Sequence, residues 1–195
     1  MPIQEIMRLR NSCSEEMRMS VQLAIHCAPL LRGSKMANII TVSAEEFSEV
    51  GKLLTGTNIS YLFLKSGEER VILYLYRHNQ LKEYLFEKDV REFLKSYGYD
   101  GENMDEMLNM LSQRVMLYGG KKIEFPHEIG IFLGYPLIDV QGYLKNSGKN
   151  FEHSGYWKVY HNVQGAKNLF RQYDKEREVT LQEIISGKTI REIAV

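Results

Sequence analysis

Residues 61–77 read YLFLKSGEERVILYLYR, and this stretch decides the fold class. Two runs rich in apolar and aromatic residues, 61–65 and 70–77, flank the sequence SGEE, which contains a glycine. This pattern predicts a β-hairpin. The second run is apolar at nearly every position, which predicts a strand buried on both faces of its sheet.

Helical patterns precede the hairpin. Residues 14–27 place apolar side chains at helical spacing, and Pro29 and Gly33 predict the end of this helix. Residues 38–43 predict a short strand. Ser43 followed by Glu46 predicts a capping box that opens a helix running to about residue 54.

The rest of the chain is mostly helical in pattern. The further predicted elements are helices over 79–97 (in two pieces), 103–117, 163–175 and 180–186, a pair of short helices within 126–146, and a strand over 156–161. This order predicts an α+β fold in a single domain, 1–195, with a small, mainly antiparallel sheet of about four strands packed against several helices.

Composition excludes several classes of protein. The 195 residues include 25 basic and 25 acidic side chains, so the net charge is zero and nucleic acid is an unfavourable partner. No apolar run is long enough to cross a membrane, and no signal-peptide pattern opens the chain, so we expect a cytoplasmic protein. We expect Cys13 and Cys27 to be reduced thiols there.

The segment 126–146 resembles a helix-turn-helix, with Gly134 as the turn residue. Its second helix is expected to expose Asp139 and Gly142, where a DNA-reading helix carries basic or amide side chains. A packing pair of helices is therefore favoured, and a DNA-binding regulator is an alternative.

A second alternative is a thiol-dependent hydrolase. Cys27, His127 and Asp139 occur in the order of nucleophile, base and orienting carboxylate found in papain-like peptidases. However, a catalytic cysteine should open a helix, whereas Cys27 is expected to close one. The segment around His127 is also helical rather than extended in pattern.

Residues 26–38 gather His26, Cys27 and Lys35 within one short segment. A histidine beside a cysteine can ligate a metal or a haem iron. The chain contains no CxxC and no HxxxH spacing, so we expect no metal site. A buried cysteine beside a histidine at a helix end is the favoured interpretation.

Residues 145–161 contain the only tryptophan, Trp157, together with Lys145, Lys158 and Tyr160. Aromatic rings beside lysines suit an anionic planar ligand such as a nucleotide, a flavin or a haem. Alternation along the predicted strand favours a simpler interpretation, in which Trp157 is buried and Lys158 faces solvent.

Four segments resemble a family of unknown function from anaerobic Gram-positive (clostridial) bacteria. They are CAPLLRGSK (27–35), LYLYR (73–77), FPHEIGIFLGYPLIDVQGYLKNSGKN (125–150) and GYWKVYH (155–161). The segment after Gly33 departs from the family pattern, which often has Ile followed by Lys-Pro there. The resemblance implies no established activity.

The favoured hypothesis is a protein that binds a small ligand or a protein partner without catalysis; flavin and haem are the cofactor candidates. We expect the site where polar residues interrupt apolar segments and converge in space. The candidate binding residues are His26, Lys35, Arg77, His127, Glu128, Lys145, Trp157, Lys158 and Tyr160.

Overall fold

A computed structural model describes residues 14–66, 69–119 and 124–194, so Cys13 and part of the predicted hairpin turn lie outside the described residues. The helices are α1 (Glu15–Leu31), α2 (Ala44–Leu54), α3 (His78–Leu85), α4 (Lys88–Ser96), α5 (Met104–Gly119), α6 (Ile129–Phe132), α7 (Leu137–Lys145), α8 (Val163–Ile185) and α9 (Ile190–Ile193). The strands are β1 (Ala37–Ser43), β2 (Ser60–Ser66), β3 (Arg70–Tyr76), β4 (His153–Ser154) and β5 (Lys158–Val159). The α+β fold class is confirmed.

The hairpin β2–β3 forms as predicted, and β1 completes an antiparallel sheet of order β1-β3-β2. Ile40 and Phe63 lie on either side of Leu73 in the sheet register. The central strand β3 is buried on both faces, since Leu73 belongs to one core cluster and Tyr74 to another. The nearly continuous apolar run is explained by this central position.

Helices cover both faces of this sheet. On one face, α1, α2, α9 and the C-terminal half of α8 form an aliphatic cluster. On the other face, the second cluster combines α3 to α7. A third, aromatic cluster joins the β4–β5 hairpin to the N-terminal half of α8, with Trp157, Phe170 and Tyr173 as its buried rings.

Helix α1 includes Pro29 and stops at Leu31, two residues before Gly33. Gly33 adopts a left-handed φ of 79°. The N–H groups of Gly33 and Ser34 then donate to the carbonyls of Leu30 and Pro29. This pattern is a Schellman motif, and it ends the helix where the chain can turn sharply. A proline near the end of a helix removes a single donor, and the buried Leu30 and Leu31 favour the extra turn.

Two further predictions at the C-terminal side are wrong in detail. The predicted helices 163–175 and 180–186 are one helix, α8, because no glycine or proline separates them. The predicted strand 156–161 shortens to β5, which pairs only with β4 in a separate two-stranded sheet. No helix in the described ranges has the length and apolarity that a membrane crossing requires.

Candidate functional site

A cavity of about 290 Å³ opens between the α6–α7 pair and strand β5. Its volume is near the lower end of the range for small-molecule sites, roughly 300 to 1,000 Å³. The lining side chains are mostly apolar or aromatic: Phe125, His127, Ile129, Leu133, Tyr135, Asp139, Val140, Tyr143, Trp157 and Lys158, with the backbone of Gly130.

Aromatic rings form two walls of the cavity. Trp157 stacks on Tyr135, with ring centroids 5.2 Å apart and planes at 27°. On its other side Trp157 meets Phe170 edge to face, at 4.6 Å and 87°. The second wall is a row of rings in which His127 lies 5.1 Å from Phe125 and 4.9 Å from Tyr143. Such stacked and perpendicular ring pairs hold each other in place.

Asp139 fixes the orientation of Trp157. The indole Nε1–H donates to one carboxylate oxygen at 2.7 Å. The backbone N–H groups of Tyr160 and His161 donate to the other oxygen, at 2.8 and 3.0 Å. The prediction that Asp139 is exposed is therefore wrong, because its side chain is 3% exposed and joins α7 to the residues around β5. Because the N–H groups of Tyr160 and His161 donate to Asp139, they cannot extend β5 by pairing with a neighbouring strand.

Lys158 stands at the rim of the cavity. Its ammonium donates to the carbonyl of Gly148 at 2.7 Å and lies 4.9 Å from the ring of Phe151 and 5.6 Å from that of Tyr143. No described carboxylate forms an ion pair with it. Lys145, at the end of α7, is exposed.

Tyr160 packs over Gly142, where a Cβ atom would come within 2.5 Å of the tyrosine Cγ. Gly142 is accordingly half-buried rather than exposed as predicted. The Tyr160 hydroxyl is buried and has no hydrogen-bond partner among the described residues. Burial, together with Tyr143 and Asp139 nearby, raises the pKa of Tyr160, so the hydroxyl stays protonated and can donate.

Cys27 lies apart, within α1 and fully buried in the aliphatic cluster. The Asn38 amide donates to its sulfur at 3.4 Å, and burial raises the pKa of Cys27 to about 11. Lys35 donates to the other end of the same amide at 2.7 Å. Its ammonium lies 5.9 Å from the ring of Tyr135, behind the wall that Tyr135 and Trp157 form.

Three other predicted site residues do not line the cavity. His26 is exposed on α1. Arg77 donates from Nε and Nη2 to the carbonyls of Leu30 and Leu31, which caps the C-terminus of α1. Glu128 is buried between Arg114, whose Nε lies 2.6 Å away, and the hydroxyl of Tyr99, which donates to it at 3.0 Å.

The structure therefore brings together only some of the residues that were expected to converge in one site. The cavity brings together His127, Trp157 and Lys158, with Tyr160 beside them, whereas Arg77 lines a separate polar pocket. These placements argue against a hydrolase, because the Cys27 thiol is buried and protonated and the Asp139 oxygens accept from Trp157 and the backbone. They also argue against DNA readout, because α6 is a single turn and the β5 segment covers part of α7.

Sequence reasoning missed the residues that shape the cavity, above all Tyr135 and Tyr143. Both lie in the long motif at 125–150, where aromatic residues recur among helical positions. That recurrence was a usable signal, but it does not say which rings face one another. Within the described ranges, no group of three or more His, Cys, Asp or Glu side chains is placed to hold a metal ion.

The fold and the site define an α+β protein with an aromatic cavity beside its main sheet. The model of the family described as Protein of unknown function (DUF3793) matches residues 23–194, and the chain belongs to this family. The comparisons with curated proteins and with solved structures find no match.

Proposed function

We propose that this protein binds a small planar molecule in the cavity between α6, α7 and β5. The observation that carries the proposal is a concave site with aromatic walls, in which buried Asp139 holds Trp157 in one orientation. Pre-formed apolar cavities with a few fixed polar groups are typical small-molecule sites. The concave shape favours a small molecule over the flat surface of a protein partner.

The size of the cavity narrows the kind of ligand. A volume of about 290 Å³ suits one ring or a fused pair of rings better than a whole haem. A flavin is accommodated only if part of it extends past the rim at Lys158. The aromatic side chains that line the cavity give such rings apolar and edge contacts.

The single tryptophan provides a direct test, because Trp157 gives one indole N–H cross-peak in a ¹H–¹⁵N correlation spectrum. The probe is 1-naphthaleneacetamide, a neutral fused-ring compound. We expect a saturable shift of this cross-peak on titration. Absence of any shift for this probe and for charged naphthalene compounds up to millimolar concentration would contradict the proposal.

A cavity-filling pair of variants locates the binding. Leu133 lines the cavity, so Leu133→Phe should abolish the shift. Leu144 is also half-buried beside the second core cluster but does not line the cavity, so Leu144→Phe is the matched control and should bind as the wild type does. Equal binding by both variants would place the probe elsewhere.

A further inference from the structure

The rim of the cavity carries an uncompensated positive charge. The Lys158 ammonium contacts a carbonyl oxygen and two ring faces, and no described carboxylate pairs with it. The one carboxylate in the cavity wall, Asp139, already accepts three N–H donors. A half-buried ammonium without a counter-ion favours an anionic group beside it.

Gly148 packs closely against Tyr143 beside the Lys158 ammonium. It has a left-handed φ of 70°, and a Cβ atom there would come within 2.9 Å of the Tyr143 ring. The glycine therefore lets the chain approach Tyr143 while its carbonyl fixes the Lys158 ammonium. The cation is thereby positioned before any ligand arrives.

We infer that the ligand is an aromatic anion, whose rings occupy the cavity and whose charged group is bound by Lys158. This inference rests on the proposed function, because it assigns the charge of the molecule that the cavity takes. An aromatic cage for a cationic ligand is disfavoured, since the lysine already occupies the face of Tyr143.

A series of probes with one ring system and three charges tests the inference. The probes are 1-naphthaleneacetate, 1-naphthaleneacetamide and 2-(1-naphthyl)ethylamine, each titrated against the Trp157 cross-peak. We expect the anion to bind about tenfold more tightly than the amide, and the amine to bind most weakly. Equal affinities for the three would overturn the inference and leave the proposed function standing, whereas no binding by any probe would overturn both.

Variants assign the preference to particular groups. Lys158→Met should remove the advantage of the anion over the amide, and Lys158→Arg should keep it. Lys167→Met, at an exposed position of α8, is the matched control and should change neither affinity. An anion preference that survives Lys158→Met would contradict this assignment.

Discussion

The two halves of helix α8 lie in regions of different chemistry. Its C-terminal half places Leu181 and Ile184 in the aliphatic cluster against α1. Its N-terminal half places Phe170 and Tyr173 in the aromatic cluster with Trp157. Aliphatic side chains pack by shape and carry no polar atom that needs a hydrogen-bond partner. Rings with polar tips need fixed partners and oriented contacts, and the cavity lies beside these rings.

The polar groups of the two regions differ in the same way. Beside the aliphatic cluster, Arg32 donates to Thr180 and pairs with Glu183, and Ser34 donates to Glu176. At the cavity, the charge of Lys158 has no described counter-ion and the hydroxyl of Tyr160 has no described partner. The described polar groups of the first region pair with one another, and the contrast with Lys158 is the reason that we propose the second region as the binding site.

The largest expected effect is a loss of stability that leaves ligand binding unchanged. Leu23 is fully buried in the aliphatic cluster, so Leu23→Ala should lower the free energy of unfolding by about 3 kcal/mol, from lost burial and the cavity left behind. Urea denaturation measures this change. Leu117→Ala, at a position 43% exposed, is the control and should stay within about 0.5 kcal/mol of the wild type.

Naphthalene probes should bind Leu23→Ala with wild-type affinity wherever the variant is folded. A large loss of binding in that variant would show that the aliphatic cluster and the cavity are energetically coupled, so the contrast between them would not hold.

An intermediate effect is expected at Lys35, which lies between the two regions. Burial lowers the pKa of Lys35 from 10.5 to about 8, so its protonated form is unfavourable in the folded protein. Lys35→Met should therefore raise the free energy of unfolding at pH 7 by about 1 kcal/mol, after allowance for the bond to Asn38 that is lost. Methionine keeps most of the side-chain volume.

The lowered pKa of Lys35 also predicts how the stability difference between Lys35→Met and the wild type changes with pH. Between pH 8 and 10.5 the unfolded wild type retains the Lys35 proton that the folded protein has lost, so the contribution of Lys35 to stability rises with pH in this window. Burial raises the pKa of Cys27 from 9.0 to about 11, so Cys27 contributes the opposite trend in both proteins, and only the difference between the two proteins reports on Lys35. The advantage of Lys35→Met, measured by urea denaturation, should be full below pH 8 and shrink towards pH 10.5. An advantage that grows over this range would contradict the assignment.

The sequence predicts the sheet and its nearest helices well, because their signals are local. The capping box of Ser43 and Glu46 forms where it was expected, and the apolar run of β3 is central in the sheet. Pro29 and Gly33 were both expected to end α1, and the helix in fact passes Pro29 and ends before the left-handed Gly33. Periodicity and stop signals therefore predict most of the helices and strands, but they predict the exact residues at which these elements end less often.

The site was only partly predictable, because its contacts link distant residues. Trp157 and Lys158, which composition singled out, line the cavity, but the same reasoning expected Asp139 at the surface. Its burial follows from three N–H donors, of which two are backbone groups and carry no sequence signal. The rings of Tyr135 and Trp157 meet only after the chain folds.

The smallest expected effect compares two buried tyrosine hydroxyls. That of Tyr74 donates to the carbonyl of Phe132, so Tyr74→Phe should lower the free energy of unfolding by about 1 kcal/mol. That of Tyr160 has no described partner, so Tyr160→Phe should leave the ligand-free protein within about 0.5 kcal/mol of the wild type or stabilise it slightly. Both variants remove one oxygen atom from a tyrosine, and thermal or urea denaturation without ligand compares them directly. A loss at Tyr160 as large as the loss at Tyr74 would mean that the Tyr160 hydroxyl is already satisfied within the fold, and the contrast between the aliphatic cluster and the cavity would then rest on Lys158 alone.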